Sequence, residues 1–215
     1  EVLKSLLADL DQLDRRREEV MSMLGYASTV LERTVTKEAA AWRRCIDSVK
    51  SDPRFSGLKL TPQVDLVPLF KNPDTGFWEF WFAACGKPPT ITEDEELRLA
   101  EDSTAVFVLL PGGTFLMGAQ SDDPKAPNYD PHGDARPRIH SVTLAPFFMS
   151  KYEMTQAQWM AFTSANPAHF KPGTSGRRGR STLRHPVEQV SWNEAARVVR
   201  RLGLDLPTEA QWEFA

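Results

Sequence analysis

Apolar residues in the first fifty positions recur at alternating spacings of three and four. Leu3, Leu10 and Leu24 fall on one series of sevens, with Arg17 at its remaining position, and Leu6, Leu13 and Val20 fall on the other. That spacing is the seam of a coiled coil, and it commits the segment to helix. The run Asp14-Arg15-Arg16-Arg17-Glu18-Glu19 is a solvated stretch of the same helix. Acids flank its arginines on both sides, so it is not a nucleic-acid patch. Gly25 is expected to bend or end the first helix, with a second running through Val30, Leu31, Ala39, Trp42, Ile46 and Val49. Two uses stay open for residues 1–50: a dimerising coiled coil or spacer, or a helical hairpin packed on the rest of the chain. The Gly25 interruption and Arg17 in the seam favour the hairpin.

Pro53, Pro62, Pro68 and Pro73 then exclude long helices from residues 51–102. Asn72-Pro73-Asp74-Thr75-Gly76 is turn chemistry, and the aromatic run Phe77 to Phe82 follows it. The expectation is a β-hairpin with Val64 to Phe70 as its other arm, its aromatics forming the core of a small β unit. Gly86-Lys87-Pro88-Pro89 and the acidic run Glu93-Asp94-Glu95-Glu96 read as linker.

Length allows one or two domains at ~100–200 residues each, since the chain has 215. A hydrophobic fraction of 41% is enough to bury a core. The net charge of -3 gives no footprint for nucleic acid, and nothing reaches the ~18 consecutive apolar residues of a membrane span. The chain opens at Glu1 and stops in what reads as mid-helix, so a piece of a longer protein is expected. Cys45 and Cys85 lie far apart without framework spacing. Two such thiols suggest buried free cysteines in a reducing compartment, hence a cytoplasmic location.

From Ser103 the texture changes again. Ala105 to Leu110 reads as a strand, Pro111-Gly112-Gly113 as a turn, and Thr114 to Gly118 as a strand returning beside the first. Ile139–Leu144 and Phe147–Tyr152 are two further strand candidates. Three helix starts carry a capping box, in which a Ser or Thr and a Gln or Glu three residues on satisfy each other's backbone donors. These are Thr155 with Gln158, Ser191 with Glu194, and Thr208 with Gln211. They predict helices at Gln156–Ala165, at Trp192–Leu202 and from Glu209 onward. Trp192 reads as core, and Glu209 and Glu213 as first-turn carboxylates favoured by the helix dipole rather than acid–base groups.

Five ordered blocks in this zone resemble formylglycine-generating-enzyme (sulfatase-modifying-factor) domains. They are Leu110 to Gly118, which resembles the family's opening hairpin; Arg136 to Leu144 with Pro146-Phe147-Phe148 and Tyr152 to Thr155; His185-Pro186-Val187; Val190 to Ala195; and Leu206 to Glu213. The resemblance implies an α+β fold, a C-type-lectin-like domain of which residues 103–215 are the N-terminal part. Residues 1–50 are then a helical segment, and residues 51–102 a small β-rich unit and linker. The stretch ahead of the domain resembles what precedes such domains in large bacterial signalling proteins, which often carry a serine/threonine kinase domain upstream.

The family's enzymes bind copper(I) through two cysteines near the C-terminal end of the domain and oxidise a substrate cysteine with molecular oxygen. Soft thiolates suit that metal. By the resemblance this pair would fall after Ala215, and Cys45 and Cys85 precede the domain and cannot replace it. Val199 stands where secreted members have a cysteine, which implies no disulfide there. Iron-dependent ergothioneine-synthesising relatives take histidines from N-terminal helices, and residues 1–50 contain none. Asp130, His132 and Asp134 alternate in a loop and read as a solvated acidic segment. No catalytic, cofactor-binding or metal-ligating residue is therefore expected among residues 1–215; copper, and calcium with it, would enter only through a complete catalytic parent. Three functions follow: a recognition module with a protein or peptide ligand in a signalling protein, a formylglycine-generating oxidase, or an assembly protein self-associating through residues 1–50.

Overall fold

The computed structural model describes residues 2–84, 86–92, 97–132, 139–176 and 179–215. Cys85, the acidic run 93–96, Asp134 and the first residues of the block beginning at Arg136 lie outside them.

Helix α1 (Val2–Leu31) passes through Gly25 without a break. A single glycine costs a helix about 1 kcal/mol and does not by itself end it. The helix ends in one π-helical stretch at Glu32–Thr36, and α2 (Ala39–Ser51) follows. The expected hairpin on the body therefore holds for α2 alone. Trp42, Cys45 and Val49 of α2 are buried, whereas the α1 leucines lie in solvent. The buried Val30 and a set of polar bonds tie the end of α1 and the turn after it to the body. The Tyr26 hydroxyl donates to Asp65 Oδ1, the Asp65 N–H donates to Thr34 Oγ1, and the Trp42 indole donates to the Thr34 carbonyl at 2.8 Å.

Strands β1 (Leu66–Lys71) and β2 (Trp78–Phe82) form the expected hairpin. Asn72 closes the turn: its Oδ1 accepts from the N–H groups of Asp74 and Thr75, and Gly76 takes a positive φ of 68°. Two short strands, β3 (Thr90–Ile91) and β4 (Leu97–Arg98), pair next. Strand β5 (Val106–Leu110) adds to β2, and β8 (Phe147–Ser150) adds to β5, giving a four-stranded antiparallel sheet in the order β1-β2-β5-β8. Strand β6 (Gly113–Met117) pairs instead with β7 (His140–Leu144).

The expected hairpin between 105–110 and 114–118 is thus corrected. Both strands exist, but each pairs with a strand some thirty residues downstream. Leu110 faces Phe147 and Gly113 faces Leu144. The register is unchanged across the gap, so one long ribbon bends at a corner made by Pro111-Gly112 and Ala145-Pro146. Gly112 makes the corner feasible. It has φ of 67°, and a Cβ there would sit 2.4 Å from the Leu144 carbonyl oxygen, backbone against backbone.

One sheet face carries the core. Leu66, Trp78, Phe80, Phe82, Phe107 and Leu109 pack with Trp42, Cys45 and Val49 of α2, and Phe148 joins them from β8. Phe80 lies edge-on to Phe148 at 5.1 Å and tilted against Trp42 at 5.7 Å. Phe162, Leu202 and Leu204 pack on the same cluster from the C-terminal half. Phe162 belongs to α3 (Gln156–Thr163), and Leu202 and Leu204 follow α4 (Trp192–Arg201); α5 (Glu209–Phe214) comes last, with the two-residue strands β9 (Ser175–Gly176) and β10 (Gly179–Arg180) between α3 and α4. All three capping boxes form as read, each with both reciprocal bonds. At α4 the Ser191 hydroxyl and N–H donate to Glu194, which holds that carboxyl below its usual range.

Candidate functional site

Two of the family-like blocks, Tyr152 to Thr155 and His185 to Val187, converge at the start of α3. The Gln156 N–H donates to the His185 carbonyl and the Ala157 N–H to that of Leu183, while Val187 N–H donates to the Met154 carbonyl. Thr155 and Pro186 form an isolated bridge. Gln156 is fully buried and fastens the junction: its Nε2 donates to the Phe170 carbonyl at 3.0 Å, and its Oε1 accepts from Asn166. Gln158 closes the capping box and donates to the Ser103 carbonyl, so the helix also holds the segment before β5. The first-turn donors of α3 are committed to protein carbonyls and cap groups, which removes this helix end as an anion site.

An open groove of about 550 Å³ lies over that junction. Its walls come from Leu97–Ala100 and Ser103, from Tyr152 and Glu153, and from Arg184 and Pro186. It mixes two arginines, a carboxylate and an exposed tyrosine over a rigid floor formed by Thr155 and Gln158. Such a surface offers charge-assisted and aromatic contacts to a polypeptide. Among its described lining residues no nucleophile is paired with a base.

The residues that first attract chemical attention are scattered. His132 lies in the loop after Asp130, His140 begins β7, His169 stacks edge-on with Phe170, and His185 Nδ1 accepts from the Thr182 N–H. Among the described residues no three histidines, cysteines or acids gather as a metal site. Cys45 is a free thiol on the buried face of α2, and burial pushes its pKa up to about 12. It is a neutral thiol at physiological pH, not the thiolate that copper(I) requires, so the donor set here does not fit that metal.

Several residues make structural contacts that the sequence does not announce. Glu79 is buried, and its Oε1 accepts from Lys151 Nζ at 2.6 Å and from Asn72 Nδ2 at 2.7 Å. Glu213 accepts from the Gly118 N–H at 2.7 Å and ties α5 to the end of β6, while Phe214 packs edge-on against Phe115 and Phe147. Asn128, at a positive φ of 54°, donates to both the Leu116 and Gly118 carbonyls. Trp192 is a correction. Its residue type predicts core, yet it stands at the first position of α4 and is 65% exposed, as is Trp212. Among the described residues nothing covers either ring.

Known proteins resemble the chain over this region. Residues 93–215 match the description "Sulfatase-modifying factor enzyme 1-like domain". The chain belongs to that family. The family's fold is C-type-lectin-like, in keeping with the mixed helices and sheets here. A formylglycine-generating enzyme from Thermomonospora curvata is 30% identical over 168 residues, covering 59% of this chain and 54% of the relative. A mouse protein named inactive C-alpha-formylglycine-generating enzyme 2 is 29% identical over 64% of this chain and 57% of its own. More distantly, serine/threonine-protein kinase pkn1 of Chlamydia caviae is 24% identical over 58% of this chain and 21% of its own. The chain spans about half the length of the first two relatives. No solved structure matches it.

The upstream boundary of this match falls among residues that serve the same sheet. Strand β2, before residue 93, pairs directly with β5 inside the family domain, and β1 pairs with β2. No helix of the described residues is long and apolar enough to cross a membrane.

Proposed function

We propose that this chain is the scaffold of a recognition module in a multidomain bacterial signalling protein, binding a protein or peptide ligand rather than oxidising one. The observation that carries this reading is the groove at the α3 junction, whose Tyr152, Glu153, Arg98 and Arg184 suit polypeptide recognition. The sealed Cys45 supports it, because the chain's described thiol is withheld from chemistry. A relative named as a kinase supports the signalling context, and one named as inactive supports a non-catalytic use of the scaffold. A free thiol in the core accords with a reducing, cytoplasmic setting. In this reading residues 1–50 act in self-association, and residues 1–215 hold no catalytic or metal-ligating residue.

A second reading keeps a specific observation behind it: the 30% identity to a formylglycine-generating enzyme. In that case a complete parent would supply a copper-binding thiolate pair from outside residues 1–215, on the scaffold described here.

Peptides selected for binding to the chain separate the groove from the rest of the surface. Tyr152→Ala combined with Arg184→Glu is expected to weaken their affinity at least ten-fold, at about 1.4 kcal/mol per decade, with no fall in melting temperature. Both side chains are exposed, so folding does not depend on them. Unchanged affinity in the double variant would contradict the groove as the binding surface.

A further inference from the structure

We infer that α1 pairs with α1 of a second copy of this chain in an antiparallel two-helix coil, with Arg17 of each copy facing Val20 of the other. The inference rests on reading residues 1–50 as a self-association element, and it adds the partner and the arrangement.

The helix runs 30 residues, about 45 Å at 1.5 Å per residue. Nine large apolar side chains along it, from Leu3 to Leu31, are 53–77% exposed. The body does not compete for this stripe. Where α1 meets the body it uses another flank, with Val30 buried and Tyr26 bonded to Asp65, while Leu24 and Leu31 on the seam stay open. Burying a leucine removes roughly 60–120 Å² of apolar surface. Nine such residues more than half exposed therefore offer roughly 500 Å² per copy, and about 1,000 Å² for a pair, the size at which specific interfaces begin. A lipid surface fits poorly. Interfacial helices carry a basic polar face, and residues 2–31 hold five acids (Asp9, Asp11, Asp14, Glu18, Glu19) against four bases (Lys4, Arg15, Arg16, Arg17).

The direction follows from the seam. A parallel, in-register pair sets Arg17 against Arg17 in its central layer, and the flanking positions 9 and 14, both aspartate, against each other across the interface. Running the partner the other way places Arg17 against Val20, Leu13 against Leu24, Leu10 against Ala27 and Leu6 against Leu31. Every layer then has an apolar member, and each guanidinium can bend outward to water along its own stem. The arrangement is two-fold and closed, so one sequence supplies both sides.

Sedimentation of the full chain is expected to give twice the chain mass. Leu10→Asp with Leu13→Asp should return one chain mass with an unchanged melt of the body, because neither leucine touches it. Nitroxides on Leu3→Cys, in a Cys85→Ser background with Cys45 buried, should then report a separation on the order of 45 Å. A parallel pair would put them about 10 Å apart, the spacing of packed helices. A monomer at all concentrations, or a dimer indifferent to the two aspartates, overturns self-association through α1. A monomer whose α1 binds phosphatidylserine vesicles assigns the stripe to a membrane instead and overturns the proposal. A dimer with the short distance leaves self-association standing and overturns the antiparallel arrangement.

Discussion

A chain shortened to residues 103–215 is expected to lose cooperative folding altogether, although it contains most of the family match. Removing the upstream residues takes away α2 and both β1 and β2. Strand β5 then loses the pairings Glu79–Val108, Phe80–Phe107 and Trp81–Val106 and becomes an open sheet edge. Phe107, Leu109 and Phe148 lose Trp42 and Phe80, the two largest fully buried side chains in the cluster. Large-to-alanine changes at single buried aromatics cost about 3–5 kcal/mol each. Losing both, with their strand, exceeds the ~5–15 kcal/mol that holds a typical domain together. Strong binding of a hydrophobic dye, aggregation and a flat melting curve are the expected readouts. A monomer with a sharp melt would show that residues 1–102 are dispensable to the sheet.

Lys151→Met should destabilise the chain by about 3–5 kcal/mol, because it leaves the Glu79 carboxylate buried without its cation. Asn72 would remain as a donor to Oε1, and Oε2 already has no protein partner among the described residues. The pair is not a net source of stability, since desolvating both charges offsets most of their attraction. Glu79→Leu together with Lys151→Met should therefore recover most of the loss. Urea denaturation of the two variants checks this: a double variant as unstable as Lys151→Met would mean the site contributes through packing, not charge.

What the sequence made legible was local. Each capping box needs only a residue and its neighbour three positions on, so Thr155, Ser191 and Thr208 announced their helices correctly. The β1–β2 hairpin was readable because Asn72 and Gly76 impose the turn before any long-range contact forms. The heptads of α1 likewise specify helix from spacing alone. Partnership was not legible. Strand β5 is followed at once by Pro111-Gly112-Gly113, which mimics a hairpin turn, yet Gly112 serves a corner against Leu144 and Ala145, and that close approach exists only once the chain has returned from residue 140. The Glu79–Lys151 pair spans 72 positions, and Glu213 and Gly118 meet across 95. Exposure was also hidden: Trp192 looks like core by residue type, and Gly25 and Arg17 favour a packed hairpin that α1 does not make.

At the candidate site, the sequence showed the blocks but not the groove. Tyr152–Thr155 and His185–Val187 were each visible as motifs, while their convergence depends on the Leu183 and His185 carbonyls meeting the first turn of α3. Arg98 reaches the same groove from before the blocks, and nothing in its own neighbourhood marks it.

The claim that residues 1–215 hold no catalytic or metal-ligating residue is most directly tested by incubating the 215-residue chain with copper(I), oxygen and a peptide carrying a sulfatase cysteine motif, then trapping any aldehyde with a hydrazide for mass spectrometry. With Cys45 held as a buried neutral thiol, unmodified peptide is the predicted result, and a trapped formylglycine product would contradict it.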